Sequence, residues 1–412
     1  MSKLLAAALA ATIAPPFAAA AQVAALPGPP VQAASPLAPD TVLAPPGGPR
    51  IVLLSAPGEG VAALRLSLPL SESAVEAGAG WLLKELALER MQTLARPVGA
   101  QVSASRTPWG VAYAVVGAAA DFEFLAYLLR EAVAAPAVDS PGLGEALARL
   151  REESARALET PRGRVVADLR GQVAPGAPPV EGTPGSVAAL DAARVRQVWQ
   201  RSHQSSRMTL VVSAPVIPEV VLAATRGMGA PEEEAGEPLD APPPPQPRPA
   251  DPQALRAWYG EVWSAGPAED PHGPVAAILV AEELRRSVRG YEAGVELWEL
   301  PDRWALAVVG AAYGRDAGAM RRTLTGVVRA TRDALAPDAV RQAVSRVLGE
   351  HLVRSRTPAG LVAMVGRALE ATGDPLAAAR QVEALHRVDV ASTRAYLDAA
   401  LARGPARAEV RP

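Results

Sequence analysis

Short apolar stretches with alternating character open the folded part of the chain. Ile51 to Leu54 and Ala63 to Leu70 read as strands, because successive side chains on a strand face opposite sides. The period then lengthens: Gly80 to Leu94 predicts a helix, Gln101 to Arg106 and Val111 to Val116 two more strands, and Asp121 to Ala134 and Leu143 to Leu158 further helices. Asp191 to Trp199 is the last helix of this stretch, and Met208 to Ser213 its closing strand. A similar succession runs from Pro274 onward and ends on a helix over Val390 to Leu401. Strands and helices in this mixed order predict an α+β fold.

The two successions repeat one another. Val115-Val116-Gly117-Ala118-Ala119 returns as Val308-Val309-Gly310-Ala311-Ala312, Asp121 as Asp316, Thr160-Pro161 as Thr357-Pro358, and Val187-Ala188-Ala189-Leu190 as Val382-Glu383-Ala384-Leu385. The offsets drift only from 193 to 197. Four landmarks in one order predict a duplicated domain, hence two homologous α+β repeats. The proline-rich acidic stretch 231–252 cannot sustain regular hydrogen bonding and reads as the linker, leaving 50–230 and 253–412 as the two domains.

Ahead of the first domain, Lys3, the apolar run Leu4 to Ala14, Pro15-Pro16 and the small residues Ala18 to Ala21 have the layout of a secretory signal, assigned to 1–21. The Pro-Pro pair breaks this run well short of the roughly 20 apolar residues a membrane anchor needs, so no stable membrane insertion is expected. The stretch 22–49 is rich in Pro and Ala without periodicity and reads as a flexible leader. A periplasmic or secreted location follows.

Composition narrows the function classes. The 412 residues are 49% hydrophobic, enough for two sizeable cores, and contain no cysteine, so stability comes from packing without disulfides. A formal charge of -2 and no arginine run interleaved with aromatics exclude nucleic acid as a partner class. The chain has no G-x-S-x-G elbow and no G-x-x-x-x-G-K-[ST] phosphate loop. Its four histidines, His203, His272, His351 and His386, form no metal-spaced pair.

Three phrases occur in order: Gly78-Ala79-Gly80-Trp81-Leu82-Leu83, then Glu152-Glu153-Ser154 with Glu159-Thr160-Pro161, then Glu282-Glu283-Leu284-Arg285 with Gly290-Tyr291. With the duplication, they resemble the insulinase, pitrilysin and mitochondrial-processing-peptidase family across nearly all of 50–412. The resemblance implies α+β repeats that close around an unfolded peptide. It also implies an H-x-x-E-H helix, in which two imidazoles four residues apart hold one zinc ion and the glutamate takes a proton from its bound water. By that resemblance Trp81 stands at the first His, Lys84 at the catalytic Glu, Glu85 at the second His, and Glu153 at the distal glutamate ligand. Both imidazoles are therefore absent and no cofactor is expected in this chain, zinc belonging to a partner subunit. The family's paired bacterial members further imply that Arg285 and Tyr291 contact substrate, although their spacing is one residue shorter than the usual pattern.

On residue chemistry alone, Trp81, Leu82 and Leu86 read as core positions of a helix on a sheet, and Glu153 as a surface partner of Arg149 or Arg156. Arg285 and Tyr291 read equally as a helix-end arginine and a strand tyrosine. Three functions are compatible with these residues. The first is a non-catalytic subunit that pairs with a zinc-bearing paralogue and encloses unfolded peptides. The others are an envelope scaffold without a role in proteolysis and an active zinc metalloendopeptidase with relocated ligands.

Overall fold

The computed structural model describes residues 35–55, 60–70, 72–138, 141–230, 256–288, 292–313 and 316–411. In the first half these fold as β1 (Thr41–Leu43), β2 (Arg50–Leu54), β3 (Val61–Pro69), α1 (Ala79–Ala95), β4 (Gln101–Thr107), β5 (Gly110–Ala118), α2 (Phe122–Val133) and α3 (Pro141–Glu159). They continue as α4 (Pro161–Val173), α5 (Pro184–Ala189), α6 (Ala192–Ser202), β6 (Thr209–Ser213) and α7 (Pro218–Ala224). The second half contains β7 (Ala257–Pro267), α8 (His272–Ser287), β8 (Glu292–Glu299), β9 (Arg303–Ala312) and α9 (Ala317–Asp333). It ends with α10 (Pro337–Ser355), α11 (Pro358–Thr372), α12 (Ala377–Leu385), α13 (Val390–Arg403) and β10 (Ala406–Val410).

The first sheet has the order β1-β2-β6-β3-β5-β4 and the second β10-β7-β9-β8. Removing β1 and β2 leaves β6-β3-β5-β4, which matches the second sheet strand for strand. The repeated phrases have physical roles at matching places. Gly117 on β5 and Gly310 on β9 let a helix lie close: a Cβ there would stand 2.8 Å from Leu125 Cδ2 of α2 and 3.1 Å from Leu324 Cδ1 of α9. Thr160 and Thr357 cap α4 and α11, each Oγ1 accepting from the N–H three residues on, Gly163 at 3.0 Å and Gly360 at 3.1 Å. Pro161 and Pro358 follow at the first helical position, where no N–H is needed.

The fold begins earlier than the expected boundary at Arg50. Leu37, inside the stretch expected as leader, is buried against α11, and Thr41–Leu43 pairs antiparallel with β2. A three-residue edge strand among prolines is too short to show a period. The signal 1–21, the start of the leader and the linker 231–252 lie outside the described residues.

Each half covers the other's sheet. One face of the first sheet packs on its own α1 and α2 through Leu64, Leu66, Tyr113 and Val115. Its other face receives α11 from the second half, where Leu361, Val362 and Val365 meet Val52, Ala63 and Val211. Reciprocally, Val165 and Leu169 of α4 are fully buried on the second sheet against Val262, Ala307 and Val309. Glycine permits both approaches: a Cβ on Gly260 of β7 would meet Leu169 Cδ1 at 2.7 Å, and one on Gly366 of α11 would meet Arg65 Cδ at 2.6 Å.

Leu169→Ala is expected to destabilise the protein by about 2–5 kcal/mol, the range for emptying a buried leucine site. Because α4 belongs to one half by chain and to the other by packing, far-UV circular dichroism and tryptophan fluorescence should report one coincident denaturant transition in wild type and variant. Two separated transitions would contradict the interlock.

Candidate functional site

The start of α1 is anchored by buried charge. Gly78 precedes the helix with φ +100°, a left-handed conformation that glycine adopts without strain. In the approach segment, Glu72 accepts from the Gly80 N–H and pairs with Arg106 of β4 at 2.5 Å, both side chains being almost wholly buried. A Cβ on Gly80 would come within 2.8 Å of Arg106 Nε and 2.9 Å of Glu72 Oε1, so the ion pair fits only against a bare backbone. One turn earlier Glu76, with no exposed surface, accepts from Arg201 of α6 at 2.7 Å and from the Ser73 N–H at 3.0 Å.

These two carboxylates titrate in opposite directions. Burial pushes the Glu72 carboxyl up, against the pull of Arg106 and the Gly80 N–H. Burial also acts on Glu76, but the bonds from Arg201 and Ser73 outweigh it and hold that carboxyl below its usual range. Sequence reading missed both pairs because their members lie 34 and 125 residues apart.

Trp81, Lys84 and Glu85, the positions that the resemblance sets against a zinc motif, lie on the next turn. Trp81 is 5% exposed and packs with Leu150 of α3, Val187 of α5 and Val195 of α6. Lys84 Nζ stands 5.3 Å from the Trp81 ring centroid and 2.5 Å from Glu85 Oε1, so ammonium, indole and carboxylate form one closed group. The helix thus places together an indole nitrogen without a lone pair to give, a cation, and a carboxylate already committed to that cation. A tetrahedral zinc site takes imidazole, thiolate and carboxylate donors.

Glu153 is exposed on α3, next to the buried Ser154, whose Oγ donates to Gly182 O at 3.2 Å. The expected surface pair does not form with Arg156, which pairs with Glu152 instead. Arg285 is exposed on the last turn of α8, and Tyr291 lies outside the described residues. His203 is a core residue held neutral, burial pushing its pKa down to about 3. His351 Nδ1 lies 2.8 Å from Val347 O and His272 Nδ1 lies 2.6 Å from Asp270 Oδ1. No group of three potential metal-ligating His, Cys, Asp or Glu side chains occurs among the described residues. Beside α1, β4 is the terminal strand of its sheet, paired among the described residues with β5 alone, and its residues alternate between exposed and half-buried, with the Arg106 side chain buried.

Neither a family model nor a curated protein matches this sequence. Solved structures do. A protease from Helicobacter pylori superposes with a TM-score of 0.74 at 11% identity, over 91% of this chain and 100% of that one. A peptidase M16 inactive domain from Pseudomonas fluorescens gives 0.73 at 12% identity, over 90% and 97%. The chain has the M16 peptidase fold. This is the architecture that the insulinase-type resemblance implied, at identities too low for shared sequence to carry anything finer. The M16-like frame also occurs within an assembly: a chain of Complex III2 from Candida albicans matches with a TM-score of 0.71 at 12% identity, over 90% of this chain and 95% of that one. Among the described residues no helix is long and apolar enough to cross a membrane.

Arg201→Met strands the Glu76 carboxylate in the interior and should cost about 3–5 kcal/mol at neutral pH. A carboxyl whose folded pKa is lowered contributes stability above its ordinary value of 4.5, lost as pH falls through the lowered value. The gap in melting temperature between wild type and variant should therefore be widest near neutrality and narrow in acid. A constant gap from pH 7 to pH 3 would show that Glu76 and Arg201 are not electrostatically coupled.

Proposed function

We propose that this chain is an exported, non-catalytic subunit of a peptidase, which pairs with a paralogue bearing H-x-x-E-H and holds unfolded peptide for it. One observation carries the reading: Trp81 fills the core where a metal-binding imidazole would project, and the Lys84–Glu85 pair closes over its ring. A zinc ion there would have to displace a buried indole and sit beside an ammonium, at a cost no remaining donor offsets. The residues present do not suit the metal, and the activated water is assigned to the partner.

What the chain retains suits holding a peptide. The outer edge of β4, unpaired among the described residues, offers N–H and C=O groups to an extended segment, the usual way a sheet edge accepts another strand. Arg285 has a fixed fork of donors suited to peptide carbonyls, and Tyr291 a hydroxyl suited to bracing a polarised one. The layout of 1–21 supports export.

Affinity purification from the periplasm of the native host should recover a protein with H-x-x-E-H. The reconstituted pair should cleave unfolded peptide, while this chain alone should not. Arg285→Ala should lower kcat/KM of the pair by about tenfold, equivalent to about 1.4 kcal/mol, with no change in zinc content. Chelator-sensitive cleavage by the isolated chain would overturn the proposal, and recovery of self-associated chain alone would favour a scaffold.

A further inference from the structure

The second half carries a cleft where the first half carries the filled metal-motif region. Gly80 and Gly273 share the 193-residue offset of the repeated β5 and β9 strands, which places Pro274, Ala277 and Ile278 at the counterparts of Trp81, Lys84 and Glu85. All three line a cavity of about 320 Å³ between α8, α10, α11 and the end of β8. A pyrrolidine ring and a methyl in place of an indole and a lysine leave the space open.

Its charge pattern is also reversed. Arg106 faces Val111 in the first sheet and Glu299 faces Trp304 in the second, both at the same offset, so a carboxylate replaces the buried guanidinium. Glu350, the counterpart of Glu153 at the offset of Thr160 and Thr357, lines the cleft as well.

Two cations in the cleft have unused donors. Arg367 gives its Nε–H to Ala363 O at 3.2 Å, and neither Arg367 nor Arg354 makes an ion pair among the described residues. Nearby Arg65 is already paired with Glu370 at 2.8 Å. Part of Arg367 is exposed to solvent, yet burial of its guanidinium, followed by the nearby Arg65, pulls its pKa down. Burial pushes Glu299 up, with Arg367 as the main opposing pull. An anion at the guanidinium forks would relieve Arg367.

We propose that this cleft receives the C-terminal residue of a peptide, its carboxylate on Arg354 and Arg367 and its side chain against Ile278, Leu297 and Met364. The inference rests on the peptide-holding reading above. The fork of a guanidinium group matches a planar carboxylate. The apolar wall suits an aliphatic side chain, and the volume is near the lower end of ligand pockets, about 300–1,000 Å³. Glu299, and Glu350 with the oxygen that does not face Arg346 Nε at 3.7 Å, are acceptors for backbone N–H groups, which a peptide has and an alkyl acid lacks.

The test is calorimetric titration of the full mature chain with N-acetyl-Ala-Ala-Leu as free acid, with the same peptide amidated at its C-terminus, and with octanoate. The free acid should bind, the amide at least about tenfold more weakly, a difference of about 1.4 kcal/mol. Arg367→Met should remove the preference for acid over amide, and Ala277→Trp, filling the cleft with an indole, should abolish binding of the acid. Should the tryptophan unfold the protein, Ala277→Leu and Arg354→Met serve in its place, thermal melting confirming the folded state. Equal binding of acid and amide, no binding of the acid at millimolar concentration, or octanoate binding as tightly as the peptide would each overturn the assignment. Capture of a long unfolded polypeptide, run in parallel, separates the two readings: its persistence with no discrimination in the cleft removes this inference alone, and its loss removes the peptide-holding reading.

Discussion

The exchange of α4 and α11 between the halves is the constraint on which the rest depends. Each sheet has two apolar faces, and its own helices cover only one. The other face is sealed by a helix that belongs, along the chain, to the opposite repeat: Val165 and Leu169 on one sheet, Leu361 and Val365 on the other. Neither half completes its core without its twin. Gly260 and Gly366 sit at the closest approach, where a single methyl on either would collide with the helix or strand opposite. Interiors packed to crystal density do not absorb such additions without strain.

Within this interlocked frame, α1 has anchors of its own. The helix is held from outside by Glu72–Arg106 at its first turn, by Glu76–Arg201 below it, and by Trp81 in the cluster formed with α3, α5 and α6. Removing one member of such a pair leaves a bare buried charge, which is far costlier than an empty site. The local architecture is thus stabilised by its own ion pairs and packing, to which Trp81, Lys84 and Glu85 contribute.

Duplication also lets one repeat be read against the other. The same helix start is filled by an indole in the first half and by Pro274 and Ala277 in the second, and the same strand end carries Arg106 in one and Glu299 in the other. Corresponding elements carry different contents. The first is closed, and the second is an open cleft in which Arg354 and Arg367 make no ion pair among the described residues.

Local patterns in the amino-acid order were enough to place five strands and four helices of the first half and the long helix near the end of the second, because periodicity acts within a few residues of itself, whereas α4, α5 and α7 were not set apart. The repeat was legible for the same reason: its four landmarks mark a strand end, helix starts and a helix end that must recur wherever the fold recurs. The absence of H-x-x-E-H from α1 was equally plain, since such a motif would lie within one turn and a half of helix. Contacts between distant residues were not legible. Which sheet α4 covers, the partners Arg106 and Arg201 take, and the cleft lined by Arg354 and Arg367 depend on residues 34 to more than 100 positions apart, or on the absence of bulk. The strand at Thr41–Leu43 was hidden because three residues carry no period, and its existence depends on the edge of β2 that receives it. The linear order specifies what each segment prefers to become; only folding decides which segments meet, because burial energy belongs to surfaces and a surface is assembled from pieces that the chain keeps apart.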